Sequence, residues 1–330
     1  MNSFGRRFRV AIFGESHGPY VGVTIDGVRP GIELSEEDFL EDIARRKTGA
    51  KGTSSRTEED KPIFVSGLYQ GFTTGAPLTI VFENKNVKTS DYEDVLEVPR
   101  PGHADYVAYL KYDGCNDPRG SGHFSGRLTL PIVAAGVVAK KNFEFLVYGR
   151  YEIKASIVEL GGTKDSKKWD ALLDEVIEDG DSLGAVVECK AKVPAGLGEP
   201  FWDSVESLIS HAIFAIPGVR GVEFGDGFTA SAMRGLEHND PYGHNLIPTK
   251  NGAGGVNGGI TNGAELCFRV AFKPTSSISK VQKTYNIEKE IIESVSIKGR
   301  HDACFALRTP VVVEAMTAIV LLDLTLLSQH

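Results

Sequence analysis

Two histidines of the sequence lie in tight turns that contain glycine, and histidine suits proton transfer near neutral pH. His17 lies in the stretch Gly14-Glu15-Ser16-His17-Gly18, between two segments with the pattern of strands. The same stretch is a literal G-x-S-x-G, the motif that presents the nucleophile of serine hydrolases. Two interpretations therefore compete: Ser16 attacks an acyl group, or His17 acts as a general acid.

A serine hydrolase needs a helix directly after its nucleophile, and the residues after Gly18 predict a strand. This disfavours Ser16 as a nucleophile.

His103 follows the rigid stretch Pro99-Arg100-Pro101-Gly102 and is the second candidate for acid–base chemistry. Either histidine could instead be an ordinary turn or capping residue, but two in rigid turns suggest an acid–base pair.

The stretch RGSGHFSGRLTLPIVAAG (119–136) runs from a Gly-x-Gly loop into a predicted helix. Free backbone N–H groups and the helix dipole favour an anion at such a place. Ser125 is the predicted N-cap and Arg127 adds positive charge. The spacing is not that of a dinucleotide-binding fold, and a plain capped helix is the alternative.

Three further stretches carry groups that could bind an anion or move a proton. Lys273 precedes three hydroxyl residues in FKPTSS (272–277), and GRHDAC (299–304) places Arg300, His301 and Asp302 in one loop. Arg45, Arg46, Lys51 and Arg56 bracket a polar loop. Ordinary turns and a solvated charged face are the alternatives, but in a net-acidic chain such a cluster suits an anionic substrate.

Composition restricts the class of protein. The chain has 330 residues, a net charge of −8 and 41% hydrophobic residues, which indicates a globular protein without a broad nucleic-acid surface. The four cysteines are far apart, so we expect free thiols rather than disulfides or a metal site. We see neither a signal peptide nor a membrane span, and we expect a cytoplasmic protein.

Hydrophobic periodicity predicts helices and strands without a regular β-α-β alternation, which favours an α+β fold in a single domain, 1–330. The predicted helices lie at 35–47, 103–112, 127–141, 167–180, 200–216 and from about Pro310. The predicted strands lie at 8–13, 20–28, within 62–84, and at 145–162, 182–193, 218–228 and 267–273.

Read together, these stretches resemble the chorismate synthase family. The resemblance rests on FGESHG, PRPGHADY, GSGHFSGRLT, NGAGGVNGGITNG, VAFKPTSS and GRHDAC with PVVVEAM, in the family's order from about residue 4 to 325. It implies a β-α-β sandwich with antiparallel sheets around helices, long glycine-rich active-site loops and a homotetramer.

The resemblance also implies an activity. The family converts 5-enolpyruvylshikimate 3-phosphate (EPSP) to chorismate and phosphate by a 1,4-anti elimination with reduced FMN, the last step of the shikimate pathway. By resemblance, His17 protonates the departing phosphate and His103 acts near the flavin. Asp302 assists the proton removal that involves flavin N5.

The binding residues implied by the resemblance fall into two sets. Those for FMN are His123, Phe124, Ser125, Pro217, Gly218, Gly258, Lys273, Pro274, Thr275, Ser276, Ser277 and Arg300. Those for the substrate are Ser16, Arg45, Arg46, Lys51 and Arg127. NADPH or an external flavin reductase would reduce the FMN, with no nucleic-acid or membrane partner. The chain departs from the commoner pattern at His123-Phe124, where Arg-Ser is usual, and at Lys51, where an arginine is expected.

Overall fold

The computed structural model describes residues 2–54, 58–85, 97–146, 151–297, 299 and 301–328. Its first part contains seven strands, of which five form an antiparallel sheet in the order β1-β2-β3-β7-β4. The strands are β1 (Ser3–Phe4), β2 (Arg9–Gly14), β3 (Tyr20–Asp26), β4 (Ile63–Ser66), β5 (Leu68–Tyr69), β6 (Phe72–Thr73) and β7 (Leu78–Glu83). The pair β5–β6 is a separate short hairpin.

A second antiparallel sheet has the order β10-β13-β9-β8. Its strands are β8 (Glu152–Leu160), β9 (Ala185–Lys192), β10 (Val219–Phe224) and β13 (Leu266–Phe272). Two small hairpins complete the strands: β11 (Val256–Asn257) with β12 (Ile260–Thr261), and β14 (Gln282–Asn286) with β15 (Ile291–Val295). The hairpin β14–β15 lies in a stretch for which the sequence predicted no element.

In the described residues, seven α-helices accompany the sheets. They are α1 (Glu37–Arg46), α2 (Asp105–Lys111), α3 (Thr129–Phe143), α4 (Trp169–Asp179), α5 (Val205–Ile213), α6 (Gly235–His238) and α7 (Pro310–Ser328). The six predicted helices are confirmed with shifted ends. The helix predicted from residue 200 begins only at Val205, because Ser204 caps it there through the N–H of Ser207.

The two sheets enclose a layer of helices, with α3 against the first sheet, α7 against the second, and α3 and α7 packed on each other. The order of the layers is therefore sheet, helices, sheet, and the predicted α+β sandwich is confirmed. Helix α7 is long and apolar enough to cross a membrane, but 83% of its apolar window is buried inside the protein. An apolar helix covered on all sides is a core helix.

Two buried carboxylates on α7 join it to distant parts of the chain. Glu314, only 3% exposed, accepts two hydrogen bonds of 2.7 Å from the guanidinium of Arg45 and one of 2.8 Å from the N–H of Ala155. Asp323 accepts hydrogen bonds from the N–H groups of residues 6–8, at 2.7 to 3.0 Å. A buried carboxylate is stable only when it is paired in this way.

Helices α3 and α7 cross at a glycine. A β-carbon at Gly136 would lie 2.4 Å from the Cβ of Ala315 and 2.5 Å from its Cα. No side chain fits at that distance, so Gly136 permits the backbones to approach closely.

We predict that Gly136→Ala lowers the free energy of unfolding by about 1–3 kcal/mol, because the added methyl group overpacks this crossing. Thermal and urea denaturation measure the effect. Gly235→Ala is the matched control, since nothing lies closer than 4.0 Å to its added methyl group. Equal stability of the two variants would show that the crossing adapts.

Candidate active site

A cavity of about 790 Å³ lies where loops from both halves of the chain meet. Its walls include Asn2 with strand β1, the Ser16-His17 turn, the glycine-rich loop before α3, the loop 273–277 and the loop before α7. A cavity of this size can hold a ligand as large as a cofactor.

The His17 turn packs directly against the backbone of the glycine-rich loop. The N–H of Ser16 donates to the carbonyl of Gly122 at 3.0 Å. A β-carbon at Gly120 would lie 2.2 Å from Cε1 of His17 and 2.9 Å from Oγ of Ser16. Strand β3 follows this turn instead of a helix, so the nucleophile elbow of a hydrolase is absent.

Arg46 and Arg127 share one buried carboxylate. Asp60 Oδ1 lies 2.5 Å from Nη1 of Arg127, and Oδ2 lies 3.6 Å from Nη1 of Arg46. Asn84 Oδ1 accepts from Nε of Arg127 at 2.9 Å, and Thr129 Oγ1 accepts from Nε of Arg46 at 2.9 Å. These contacts fix both guanidinium groups at the cavity wall.

A second ion pair continues the cluster. Asp302 Oδ2 lies 2.5 Å from Nη2 of Arg308, and its Oδ1 accepts from the N–H of Ser54 at 2.6 Å. Burial, and then the charge of Arg308, lowers the pKa of Arg46 to about 9. The three guanidinium groups therefore face two carboxylates, and an anion entering the cavity would relieve their mutual repulsion.

His103 lies in a network centred on Arg100. Nδ1 of His103 is 2.7 Å from Oδ1 of Asp105, and its Nε2 is 3.2 Å from Oγ of Ser121. Arg100 donates to both oxygens of Asp105 at 2.7 Å and to Ser121 and Ser277 at 3.0 Å. Burial would raise the pKa of Asp105, but the hydrogen bonds from Arg100 and His103 outweigh it and hold that pKa well below its usual range.

The loop 273–277 is attached to the same network. Nζ of Lys273 donates to the carbonyl of Gly102 and, at 2.7 Å, to Oγ of Ser276. Burial, and then Arg220, lowers the pKa of Lys273. Thr275 Oγ1 is buried and has no hydrogen-bond partner among the described residues, so it is available to a ligand.

The predicted flavin residues of the glycine-rich loop also line the cavity, but the side chain of His123 faces the protein. Its Nδ1 lies 2.8 Å from the carbonyl of Gly14 and its Nε2 lies 3.2 Å from Oδ1 of Asn2. The predicted N-cap of α3, Ser125, does not cap that helix, which begins at Thr129; it caps the short 3₁₀ turn Gly126–Leu128 before α3 by accepting from the N–H of Arg127. Phe124 is also among the residues that line the cavity.

Most predicted site residues are brought together here. The cavity is lined by Ser16, His17, Arg46, His103, His123, Phe124, Ser125, Arg127, Pro217, Gly218, Lys273, Pro274, Thr275, Ser276, Ser277 and Asp302.

Three predicted residues are not among those that line the cavity. Arg45 turns to the buried Glu314 on α7. Lys51 donates to Asp174 at 2.7 Å, and Gly258 lies in the turn between β11 and β12. Arg300 lies outside the described residues.

Five residues that the sequence did not single out join the site: Asp60, Arg100, Asp105, Ser121 and Arg308. For Asp105 a signal exists, because a carboxyl two residues after a turn histidine is well placed to orient it. Asp60 and Arg308 lie in loops whose path the sequence pattern does not reveal.

The model of the chorismate synthase family matches residues 8–326. The chain belongs to the chorismate synthase family. A chorismate synthase from Chitinophaga pinensis is 56% identical over 100% of this chain and 98% of its own length. One from Korarchaeum cryptofilum is 44% identical over 97% and 96%. A crystal structure of a chorismate synthase matches with a TM-score of 0.74 at 26% identity, covering 97% of this chain and 92% of the other.

Membership of the chorismate synthase family makes the protein an enzyme, a lyase of the shikimate pathway that forms chorismate from EPSP. It also implies a flavin cofactor in general terms. The alternative of a serine hydrolase built on Ser16 is therefore wrong. All four cysteines are free, and burial raises the pKa of Cys189 to about 12.

We predict that Gly120→Ala lowers kcat by about 100-fold or more, because the new methyl group displaces His17 from its position at the cavity wall. Gly162→Ala is the matched control. Gly162 also has a positive φ, of 83°, but an added methyl group there meets nothing within 4 Å. Steady-state kinetics measures the effect of displacing His17, and thermal melting measures the general strain that each substitution adds. Equal kinetics for the two variants would contradict the prediction.

We also predict that inorganic phosphate stabilises the ligand-free protein, by about 2.7 kcal/mol at 100 times its dissociation constant. Melting curves at rising phosphate, with chloride at matched ionic strength, measure the effect. Arg308→Gln should reduce the phosphate-dependent shift, since one guanidinium of the cluster is lost. Lys192→Gln removes a surface cation paired with Glu152 and should leave the shift intact. An equal shift in both variants would place phosphate elsewhere.

Proposed function

We propose that this cavity binds reduced FMN beside EPSP and that the chain catalyses the 1,4-anti elimination of phosphate there. The observation that carries the proposal is that one cavity combines His17, His103 and Asp302 with a cluster of three guanidinium groups. The reaction requires an acid at the leaving group, a base at the C–H bond and positive charge around phosphate.

The residues of the cavity fit an FMN molecule. The loop 273–277 offers three hydroxyl groups and the ammonium of Lys273, and the buried Thr275 Oγ1 and Arg308 Nε have no partner among the described residues. We assign this loop, together with Pro217, Gly218 and the loop 123–125, to FMN. When bound, the reduced flavin supplies electron density for breaking a C–H bond that is not acidic enough for a base alone.

Arg46, Arg127 and Arg308 are assigned to the anionic groups of EPSP. Their guanidinium groups are fixed by Asp60 and Asp302, so they need little reorganisation as charge develops on the departing phosphate. His17 adjoins the glycine-rich loop in the same cavity and is the group assigned to protonate that phosphate. Ser16 is at most a hydrogen-bonding neighbour.

Asp302 and His103 are assigned to the proton transfers near the flavin. Both carboxylate oxygens of Asp302 accept hydrogen bonds, from Arg308 and from the N–H of Ser54, which holds the group in one orientation. His103 is held in the same manner by Asp105 and Ser121. Fixed orientation of this kind is what general acid–base catalysis needs.

The departure at His123-Phe124 is compatible with this assignment. Because the His123 side chain contacts Gly14 and Asn2, it contributes to the wall of the cavity rather than replacing the usual arginine. We propose that the backbone of this loop, and Phe124, contact the flavin.

The assembly and the source of electrons are further parts of the proposal. We propose a cytoplasmic homotetramer whose subunits are single domains spanning 1–330. Phe201, Trp202 and Phe228 are 84–88% exposed, which suits burial between subunits. NADPH, or a separate flavin reductase, is the proposed reductant of FMN.

We predict that, under anaerobic conditions, the protein with dithionite-reduced FMN and EPSP releases chorismate and phosphate in equal amounts over many turnovers per flavin. Absorbance follows chorismate while a coupled assay follows phosphate. His17→Ala should lower kcat by about 10²–10⁴-fold, the usual contribution of a general acid. Ser16→Ala should lower it far less.

The controls address each part separately. Oxidised FMN alone should give no product, and oxidised FMN with NADPH tests whether the chain reduces its own flavin. FMN binding without any phosphate release would overturn the proposed catalysis, and loss of activity in Ser16→Ala but not in His17→Ala would overturn the assigned acid.

A further inference from the structure

One serine beside His103 is held in a backbone conformation that suits glycine. Ser121 has a φ of 73°, and its neighbours Gly120 and Gly122 have φ of 56° and 51°. A glycine would adopt this conformation without strain. Strain of this kind is usually retained where a side chain is needed.

Asp105 determines which nitrogen of His103 keeps its proton. The separation of 2.7 Å between Asp105 Oδ1 and His103 Nδ1 requires a hydrogen between them. The pKa of Asp105 lies well below its usual range, since hydrogen bonds from Arg100 and His103 outweigh its burial. The hydrogen therefore belongs to Nδ1, and Nε2 is the nitrogen that gains and loses a proton.

Arg100 lies closer to the partners of His103 than to the ring itself. Its Nη2 is 3.1 Å from Nδ1 of His103, compared with 2.7 Å from Asp105 Oδ1 and 3.0 Å from Ser121 Oγ. The other charged group attached to this region is Lys273, which bonds to the carbonyl of Gly102.

The hydroxyl of Ser121 can serve both protonation states of Nε2, which lies 3.2 Å from it. Arg100 uses one lone pair of Oγ, and the hydroxyl keeps one hydrogen and one further lone pair. It donates to Nε2 when the imidazole is neutral and accepts from the N–H when the imidazole is charged.

We propose that Ser121 is a positioning residue whose hydroxyl partners Nε2 of His103 in both protonation states and keeps the ring facing the cavity during turnover. The catalytic part of this inference rests on the proposed function. The hydrogen bond itself is a property of the ligand-free protein and can be tested without substrate.

Two variants distinguish the effect of losing the Ser121 hydroxyl from the effect of the backbone strain at this position. Ser121→Gly removes both, whereas Ser121→Ala removes the hydroxyl and keeps the strain. Ser231→Ala, which removes a hydroxyl outside the cavity that bonds to Phe228, is the control. The first measurement is ¹⁵N NMR of the ligand-free protein across the titration of His103, with its signals assigned by their loss in His103→Asn.

In the wild type, Nδ1 should remain protonated throughout and Nε2 should titrate. In both Ser121 variants the Nε2 signal of the neutral ring should move in the direction of a nitrogen without a hydrogen bond. The kcat with EPSP and reduced FMN should fall about tenfold in both variants, the size expected for one hydrogen bond, while KM changes less than about twofold. Ser231→Ala should match the wild type.

A wild-type spectrum together with a wild-type kcat in Ser121→Gly would overturn the proposal. A loss of kcat confined to Ser121→Ala would also overturn it, because backbone strain alone would explain that result. If the wild type makes no chorismate, the proposed function fails. The NMR comparison then still decides whether Ser121 partners His103.

Discussion

The fold depends on the burial of a helix that has no polar face. Apart from a few buried polar side chains, among them Glu314 and Asp323, helix α7 is apolar all round, so it is stable only if other elements cover it completely. One sheet, α3 and α5 provide that cover, and the first sheet then covers α3. Because apolar side chains fill the interior in this way, the polar and charged side chains that line the cavity lie mostly on loops. These loops converge beside the helix layer.

This division explains why the charged groups of the cavity are held by so many ion pairs and hydrogen bonds. Loops contribute little packing of their own, and a charged side chain at the edge of an apolar core is costly unless it is paired. Arg46, Arg127 and Arg308 are therefore held by Asp60 and Asp302, and Arg100 holds the His103 loop to the loops that carry Ser121 and Ser277. The same contacts that reduce the cost of burial also fix the positions of the residues to which the proposed function assigns catalysis.

Much of the fold could be predicted from the sequence, because periodic segments such as 35–47 and the residues after Pro310 report directly on buried faces. The histidine turns and the glycine-rich loop could also be found, since glycine and proline mark special backbone there. The resemblance then supplied the roles that we propose for these residues.

Pairing between distant residues could not be predicted. Arg45 and Arg46 are neighbours in the sequence, yet helix geometry turns one toward Glu314 and the other toward the cavity. Arg308 and Ser121 could be recognised as site residues only from their partners in the structure. Ionic and hydrogen-bonded contacts between loops leave no periodic pattern in the sequence.

The contact between Asp323 and the N–H groups of residues 6–8 has a consequence for how the protein is made. Residues 2–4, which line the cavity, are attached to a segment whose buried anchor, Asp323, lies 315 residues after Phe8 in the chain. During translation, residues 6–8 cannot make these hydrogen bonds until α7 has emerged from the ribosome. The first sheet therefore lacks this anchor until then. Completion of the cavity is therefore tied to the synthesis of α7, and a nascent chain truncated before α7 would expose the apolar faces that attract chaperones.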